Sequence, residues 1–409
     1  MEVGIEALNG YGGVAYIDIR ELFAERGLDL KRFDNLMMEK KSVGLVCEDP
    51  VTNGVNAAKP IIDTLDEKEK ASIELLITAT ESGLDFGKSL STYIHDLLGL
   101  NKKCRLFEIK QACYAGTAAL QMAASFVAAN PFRNVKALVI STDIARAAKM
   151  TYAEPSQGTV GIAMLVSNRP EVLELDFGAN GYHSYEVMDT CRPTAELETG
   201  DADLSLLSYL SCLEESYKSY CERVENADFQ ETFDYLVFHT PFAGMVKGAH
   251  RTIMRKFKKA GWEEIEIDFQ KRVAPSLIYC QEVGNGYSAS LYLALCGLID
   301  HAEVNRAKRI GLYSYGSGCS SEFYSGVITA RSKQKLAAMH IDKQLDRRHK
   351  LSIAEYDDIL QLNMEWMFGI QNKIVDIRPF ADLYASQFEG KRLLVLEKIE
   401  NYHRKYRWS

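Results

Sequence analysis

No stretch of the chain approaches the roughly 18–20 uncharged apolar residues that a membrane-spanning helix needs, so no membrane association is expected. The first residues, MEVGIEALNGYGG, lack a basic segment followed by an apolar one, so no secretory signal is expected. Nine cysteines are scattered along the chain, and no two stand in C-x-x-C spacing. A disulfide framework and a zinc site are both disfavoured, no metal is expected, and a reducing cytoplasm fits best. Basic charge is in deficit: 48 Lys and Arg against 56 Asp and Glu give a net charge of −8. That argues against general nucleic-acid binding and leaves room for a local basic patch. Neither GYGG at 10–13 nor SYGSG at 314–318 matches a P-loop or GxGxxG, so no nucleotide cofactor follows.

What is present is an ordinary globular composition. The 409 residues are 47% hydrophobic and 25% charged, enough for two or more compact units. Apolar, strand-like runs end abruptly in small or polar residues, and helix-like stretches follow. The runs are IELLITATESG (73–83), VKALVISTDIA (135–145), GIAMLVSN (161–168), FDYLVFHTPF (233–242) and KRIGLYSYGSG (308–318). Helix-like segments cover 116–129, 205–223 and 244–260. The alternation predicts buried strands in a layered α/β fold. The stretch 331–409, with SIAEYDDILQLNMEWMF and LLVLEKIENYHRKYRW, is more charged and predicts helices packed on the outside.

Four reactive or polar groups stand at the ends of such runs: Glu81, Cys113, His239 and the YGSG of 315–318. Ligand sites of open α/β sheets lie at the carboxyl ends of strands. Cys113 opens the helix-like run CYAGTAALQMAASF, and a helix N-terminus lowers a thiol pKa. The small residues Ala112, Ala115 and Gly116 would let a substrate approach it; the alternative is a buried structural cysteine. Glu81 at a half-buried strand end suits a general base or acid; the alternative is an ion-pair partner. His239, before Thr-Pro, is placed to hydrogen-bond a carbonyl, or is a satisfied core histidine. Asn285 lies between two glycines in EVGNGYSAS, either as a turn or as an amide aimed at a carbonyl. The loop SYGSG offers backbone N–H groups to an oxyanion.

The ordered series TATESG, ACYAGTAAL, STDIAR, EPSQGTVGIAML, VFHTPF, GNGYSAS and SYGSG resembles the 3-hydroxy-3-methylglutaryl (HMG) synthases of the thiolase superfamily. The resemblance runs from the first residues to IENYHRKY. It implies two similar α/β halves in a five-layered αβαβα core, at 1–168 and 169–330, with a helical extension at 331–409. It also implies a homodimer. The implied reaction is a Claisen-like condensation. Cys113 would take an acetyl group from a thioester, Glu81 would remove a methyl proton, and His239 would polarise the acceptor carbonyl with help from Asn285. Backbone N–H groups of Cys113 and Ser317, beside Gly316, would bind the oxyanion. Pro155, Ser156, Ser205 and Tyr287 match substrate-binding positions. No cofactor would stay bound; a phosphopantetheine arm, or coenzyme A, would carry the substrates.

The family has a coenzyme A branch and a branch that acts on acyl carrier proteins in polyketide β-branching. Departures here favour the second. Gly244 and Gly248 replace lysines common in the coenzyme A branch, and Lys247 is displaced. Thr190 and Cys191 replace bulky aromatics, and Ala147 replaces another. The first 62 residues look very like the β-branching members. Donor and acceptor carrier proteins are acidic, so docking predicts basic residues: Lys31 and Arg32, then Arg255, Lys256 and Lys259. A solvated helix face is the alternative for both groups. An HMG-CoA synthase of the mevalonate pathway is the rival reading. A ketosynthase or thiolase is disfavoured because Glu81 fills the base position, and a catalytically dead scaffold because the cysteine is kept.

Overall fold

The computed structural model describes residues 2–131, 133–143, 145, 149–151, 153–194, 197–364 and 368–409. Among them, nine strands form one sheet. Their order is Tyr235–Phe238, Lys308–Gly316, Ser320–Ile328, Leu173–Ser184, Gly4–Tyr11, Gly161–Ser167, Lys136–Thr142, Ile73–Ala79 and Arg105–Ile109. Ile73–Ala79 runs parallel to both its neighbours, and Tyr235–Phe238 runs parallel to Lys308–Gly316. The other neighbours are antiparallel. The two halves join where Gly4 and Ile5 pair with Glu174 and Leu173. Every strand expected from the apolar runs is present, and so are the three expected helices, now Ala115–Ala128, Ala202–Arg223 and Ala243–Ile253.

Alternate side chains of each strand enter different cores, which is why the runs are apolar throughout. Ala137 and Val139 face a central core with the helices Ala115–Ala128 and Ser290–His301, while Leu138 and Ile140 face an outer core with Pro50–Ile62. In the second half Val237 and Leu312 face the central core; Leu236, Phe238 and Tyr313 face a third core with Ala202–Arg223 and Ala243–Ile253. The layers are therefore helix, sheet, helix, sheet, helix, the thiolase-like arrangement. Each fully buried aliphatic side chain contributes about 1.5–3 kcal/mol.

The central helices sit deep in the molecule, Ser290–His301 the more fully, while Met122 and Ser125 of Ala115–Ala128 reach solvent. Ser290 through Ile299 is buried without a break. On Ala115–Ala128 the alanines at 115, 119, 123 and 124 keep the helix narrow. A Cβ on Gly116 would lie 2.4 Å from the Ser288 carbonyl oxygen and 2.7 Å from Ser141 Oγ. Gly116 and Ala115 thus serve close packing inside the core. The sequence-based expectation that they open a substrate approach is corrected; Ala112 alone of the three is half-buried.

The C-terminal expectation also needs correction. Helices Ala330–Ala337, Ile341–Asp346, Ile353–Met364 and Ala381–Gln387 are present, but LLVLEKIENYHRKYRW is a β-hairpin. Leu394–Glu400 pairs antiparallel with His403–Trp408, and Lys373–Ile374 adds a third strand. Asn401 and Tyr402 form the two-residue turn with φ of 50° and 65°, the left-handed pair that a tight hairpin demands. The hairpin docks on the helix Pro50–Ile62. Asp49 caps that helix through the Thr52 N–H at 2.9 Å and accepts from Arg404 Nη1 at 3.1 Å and Tyr406 OH at 2.9 Å. No helix among the described residues is long and apolar enough to cross a membrane.

Candidate active site

Glu81 follows the strand Ile73–Ala79 by two residues, and a buried carboxylate fixes its turn. Asp143, just past the neighbouring strand, accepts from Thr80 Oγ1 at 2.7 Å, the Glu81 N–H at 2.8 Å and Ser82 Oγ at 2.8 Å. Its other oxygen accepts from Ser288 Oγ at 2.7 Å. Asp143 thereby ties the turn carrying Glu81 to the loop of the second half that carries Asn285.

Cys113 lies between the strand Arg105–Ile109 and the helix Ala115–Ala128, after Ala112 at a φ of 43°. Few residues other than glycine adopt that left-handed conformation. The Cys113 thiol donates to Glu81 Oε2 at 3.6 Å. Burial pushes the Glu81 carboxyl up to about 8; Asp143 adds to this and Arg192 opposes it. Burial, then the carboxylates of Glu81, Asp143 and Glu198, also lift the Cys113 thiol well above its ordinary value. The thiol acidified by a helix terminus, expected from the sequence, is thus corrected in sign. The helix starts beyond the thiol, and a dipole effect of about 0.3–1 kcal/mol is outweighed by desolvation and three nearby acids. Glu81 titrates where one group can both take and give a proton.

Loop geometry brings the second half to the thiol. A Cβ on Gly316 would lie 2.6 Å from both Gln111 O and Tyr114 N, so the strand Lys308–Gly316 ends against the Cys113 turn. Buried Asp189 clamps the loop containing Ser317, accepting from Tyr315 OH and, at 2.9 Å, from the Gly318 N–H. Tyr114 OH donates to the buried carboxyl of Glu322 at 2.7 Å. Asn285 Oδ1 accepts from the Tyr287 N–H at 2.9 Å and Ser290 Oγ at 2.7 Å, and its Nδ2 makes no hydrogen bond among the described residues. The Asn285 N–H donates to Ser156 O at 2.6 Å, joining Pro155–Ser156 to the same loop.

His239 is buried at the end of Tyr235–Phe238, where its N–H donates to Tyr313 O at 2.8 Å and its carbonyl accepts from Tyr209 OH at 2.7 Å. Burial lowers the imidazole to about 3, so the ring is neutral, and Nδ1 has no hydrogen-bond partner among the described residues. No hydrogen bond joins His239 to Cys113 or Glu81 among the described residues; His239 follows one edge strand of the sheet, Tyr235–Phe238, and Cys113 follows the other, Arg105–Ile109. Nor does any hydrogen bond there tie Ser205, on the first turn of Ala202–Arg223, to the cluster. Thr190 and Cys191 are half-buried in a two-stranded ribbon with Thr199 and Gly200. Ala147 lies outside the described residues.

Three charged residues here escape the sequence reading: Asp143, Arg192 and Glu198. Arg192 Nη2 lies 2.9 Å from Glu198 Oε2 and 3.8 Å from Glu81 Oε1, with its guanidinium 5.2 Å from the Tyr287 ring centroid. Glu198 Oε2 also accepts from Tyr287 OH at 2.9 Å and Gln157 Nε2 at 3.1 Å. Asp143 ends a strand-like run as Glu81 does, and the same rule applied to STDIAR would have found it.

The surface residues divide. A Cβ on Gly244 would lie 1.8 Å from the Asn35 carbonyl oxygen, so the helix Leu30–Leu36, with exposed Lys31 and Arg32, packs on that glycine. Gly248 faces open space. Lys247 is paired with Glu266 at 2.9 Å, and Lys256 with Glu214. Arg255 and Lys259 are exposed and make no ion pair among the described residues.

The chain matches the models of a known family. The hydroxymethylglutaryl-coenzyme A synthase N-terminal family model matches residues 1–170, and the C-terminal model matches 173–260 and 251–406. The chain belongs to the hydroxymethylglutaryl-coenzyme A synthase family. Within it, the chain is 53% identical over 418 aligned residues to the polyketide biosynthesis 3-hydroxy-3-methylglutaryl-ACP synthase PksG of Bacillus subtilis, covering 100% of this chain and 99% of that one. The hydroxymethylglutaryl-CoA synthase of Enterococcus faecalis is 34% identical, over 87% of this chain and 91% of its own length. The HMG synthase of the curacin biosynthetic pathway, solved with acetyl donor-ACP, superposes with a TM-score of 0.98 at 52% identity, covering 100% of both chains.

Proposed function

We propose that this HMG synthase takes an acetyl group from an acetyl-acyl carrier protein onto Cys113 and adds it to the β-keto carbon of a carrier-bound polyketide. The observation that carries the chemistry is the Cys113 thiol donating to Glu81 Oε2 at 3.6 Å inside a frame held by Asp143. Glu81 accepts the thiol proton as sulfur attacks the acetyl carbonyl, and the phosphopantetheine thiolate leaves with a proton. Backbone N–H groups of Cys113 and Ser317 receive the oxyanion. Glu81 then removes a proton from the acetyl methyl group, and the resulting carbanion attacks the acceptor's β-carbonyl carbon. His239, neutral, donates an N–H to that carbonyl, with Asn285 beside it. The alkoxide takes up a proton, and water cleaves the Cys113 thioester to give a carboxylate and the free thiol.

Carrier-protein use is supported by the greater likeness to an HMG-ACP synthase than to a CoA synthase, and by Gly244. The helix Leu30–Leu36 occupies the place where a phosphate-binding lysine would begin. Donor and acceptor carrier proteins would dock near Lys31, Arg32, Arg255 and Lys259, with Lys256 sharing its charge with Glu214. Pro155, Ser156, Ser205, Gly316 and Tyr287 would line the path of the arm. A homodimer is consistent with Arg105–Ile109, which among the described residues is an edge strand of the sheet, ending four residues before Cys113. Nine free cysteines suit a cytoplasmic protein. Intact-mass measurement of acetylation from acetyl-carrier protein and from acetyl-CoA, beside Cys113→Ala, tests the reading. Faster loading from the carrier protein, lost in the variant, supports it. Equal or faster loading from acetyl-CoA replaces it with the mevalonate-type activity.

A further inference from the structure

Glu81 divides its two carboxylate oxygens between different partners. Oε2 accepts from the Cys113 thiol at 3.6 Å, and Oε1 faces Arg192 Nη2 at 3.8 Å. The guanidinium is itself anchored, by Glu198 Oε2 at 2.9 Å and by the Tyr287 ring at 5.2 Å. We infer that Arg192 is a positioning residue: held by Glu198 and Tyr287, it engages one oxygen of Glu81 so that the other is presented to Cys113 and then to the acetyl group. The inference rests on the acyl-transfer reading above and names what orients and balances its base. The terminal torsion of a glutamate is broad, so without such a partner the carboxyl has no fixed presentation. An arginine suits the role because Nη2 faces both carboxylates while the planar guanidinium lies over the Tyr287 ring, an arrangement that lysine's point charge does not reproduce.

The charges around Glu81 give the inference a signature. It faces Asp143 from the end of Lys136–Thr142, Cys113 from the turn before Ala115–Ala128, and Arg192 and Glu198 from the ribbon segment, with Tyr287 behind them. Glu198 competes with Glu81 for one guanidinium and holds it more closely. Removing Arg192 leaves only acids facing Glu81 and disfavours its ionised form. Removing the Glu198 charge takes away an acid and releases Arg192 to Glu81. The two changes therefore act in opposite directions. The test is the pH dependence of single-turnover acetylation from acetyl-carrier protein, read by intact mass, with Cys113→Ala and melting temperatures as controls. The rising limb, near pH 8 in the wild type, should move up by about one unit in Arg192→Gln and down in Glu198→Gln. Near neutrality Arg192→Gln should load about tenfold more slowly, with partial recovery in Arg192→Lys. If the wild type does not load, the acyl-transfer reading fails. If it loads while both variants keep its limb, or move it the same way, Arg192 has no positioning role. Should Arg192→Gln not fold, Arg192→Lys and Glu198→Gln decide: an unshifted limb in both overturns the inference.

Discussion

Gly244 and Gly248 lie one turn apart on the helix that follows His239, and a lysine placed at each should have opposite consequences. At Gly244 a Cβ would sit 1.8 Å from Asn35 O and 3.0 Å from Asn35 C, both backbone atoms. No rotamer relieves that overlap; the helix Leu30–Leu36 must retreat by roughly 1.5 Å to restore van der Waals contact. Overpacking typically costs about 1–3 kcal/mol and more when backbone must move, so about 3 kcal/mol is expected for Gly244→Lys. That corresponds to a fall in Tm of roughly 3–4 °C in a chain of this size. At Gly248 a Cβ meets nothing within 4 Å, and replacing a mid-helix glycine should gain about 0.5–1 kcal/mol.

Catalysis should separate the two positions further. An exposed lysine beside a coenzyme A phosphate is worth about 0.2–1 kcal/mol, so Gly248→Lys should lower the KM for acetyl-CoA by roughly 1.5- to 5-fold at low salt. The gain should vanish at high salt. Gly244→Lys should weaken use of the carrier protein, because Lys31 and Arg32 ride on the displaced helix. The assays are thermal melting and acetylation kinetics with each donor at two salt concentrations. A Gly244→Lys protein that melts like the wild type and keeps its carrier-protein KM would refute the packing argument. A Gly248→Lys protein with unchanged acetyl-CoA kinetics would show that phosphates do not pass this face.

Glu81→Gln should lose acetylation by about 10²–10⁴-fold, measured by intact mass. The same variant should alter stability with a defined sign. Because the folded value, about 8, lies above the ordinary 4.5, the stability that Glu81 contributes is complete below pH 4.5 and is lost as pH rises through about 8. Glu81→Gln should therefore melt higher than the wild type above pH 8 and not below pH 4.5. Asp49→Ala removes a helix cap and the Asp49 bonds to Arg404 and Tyr406 together; about 3–5 kcal/mol should be lost, with early proteolysis of the hairpin Leu394–Trp408. Gly116→Ala drives a methyl group to 2.4 Å from Ser288 O, so melting should register about 1–3 kcal/mol of destabilisation.

The sheet was legible because its central strands are buried on both faces. VKALVISTDIA divides between two cores, so it reads as one uninterrupted apolar run with a sharp polar end. The C-terminal hairpin was illegible for the converse reason. Its outer face is charged, and a bulge between Leu396 and Lys398 breaks the alternation that would have shown a strand. Its identity lies in contacts with Asp49 and Asn56, more than 300 residues away in the chain.

The same division runs through the site. Cys113, Glu81 and His239 could be picked out because each terminates a run, and position in the fold is something local sequence encodes. Their acidities could not, because acidity is a sum over neighbours from separate segments. A helix terminus next to Cys113 points to a low pKa, yet burial and the acids at 81, 143 and 198 reverse the sign. That reversal is what gives the arrangement its logic. A thiol that keeps its proton until a base takes it, and a base poised near 8, are suited to an enzyme that must first deprotonate sulfur and then carbon at one place. A strongly acidified cysteine would need no such base for the first step.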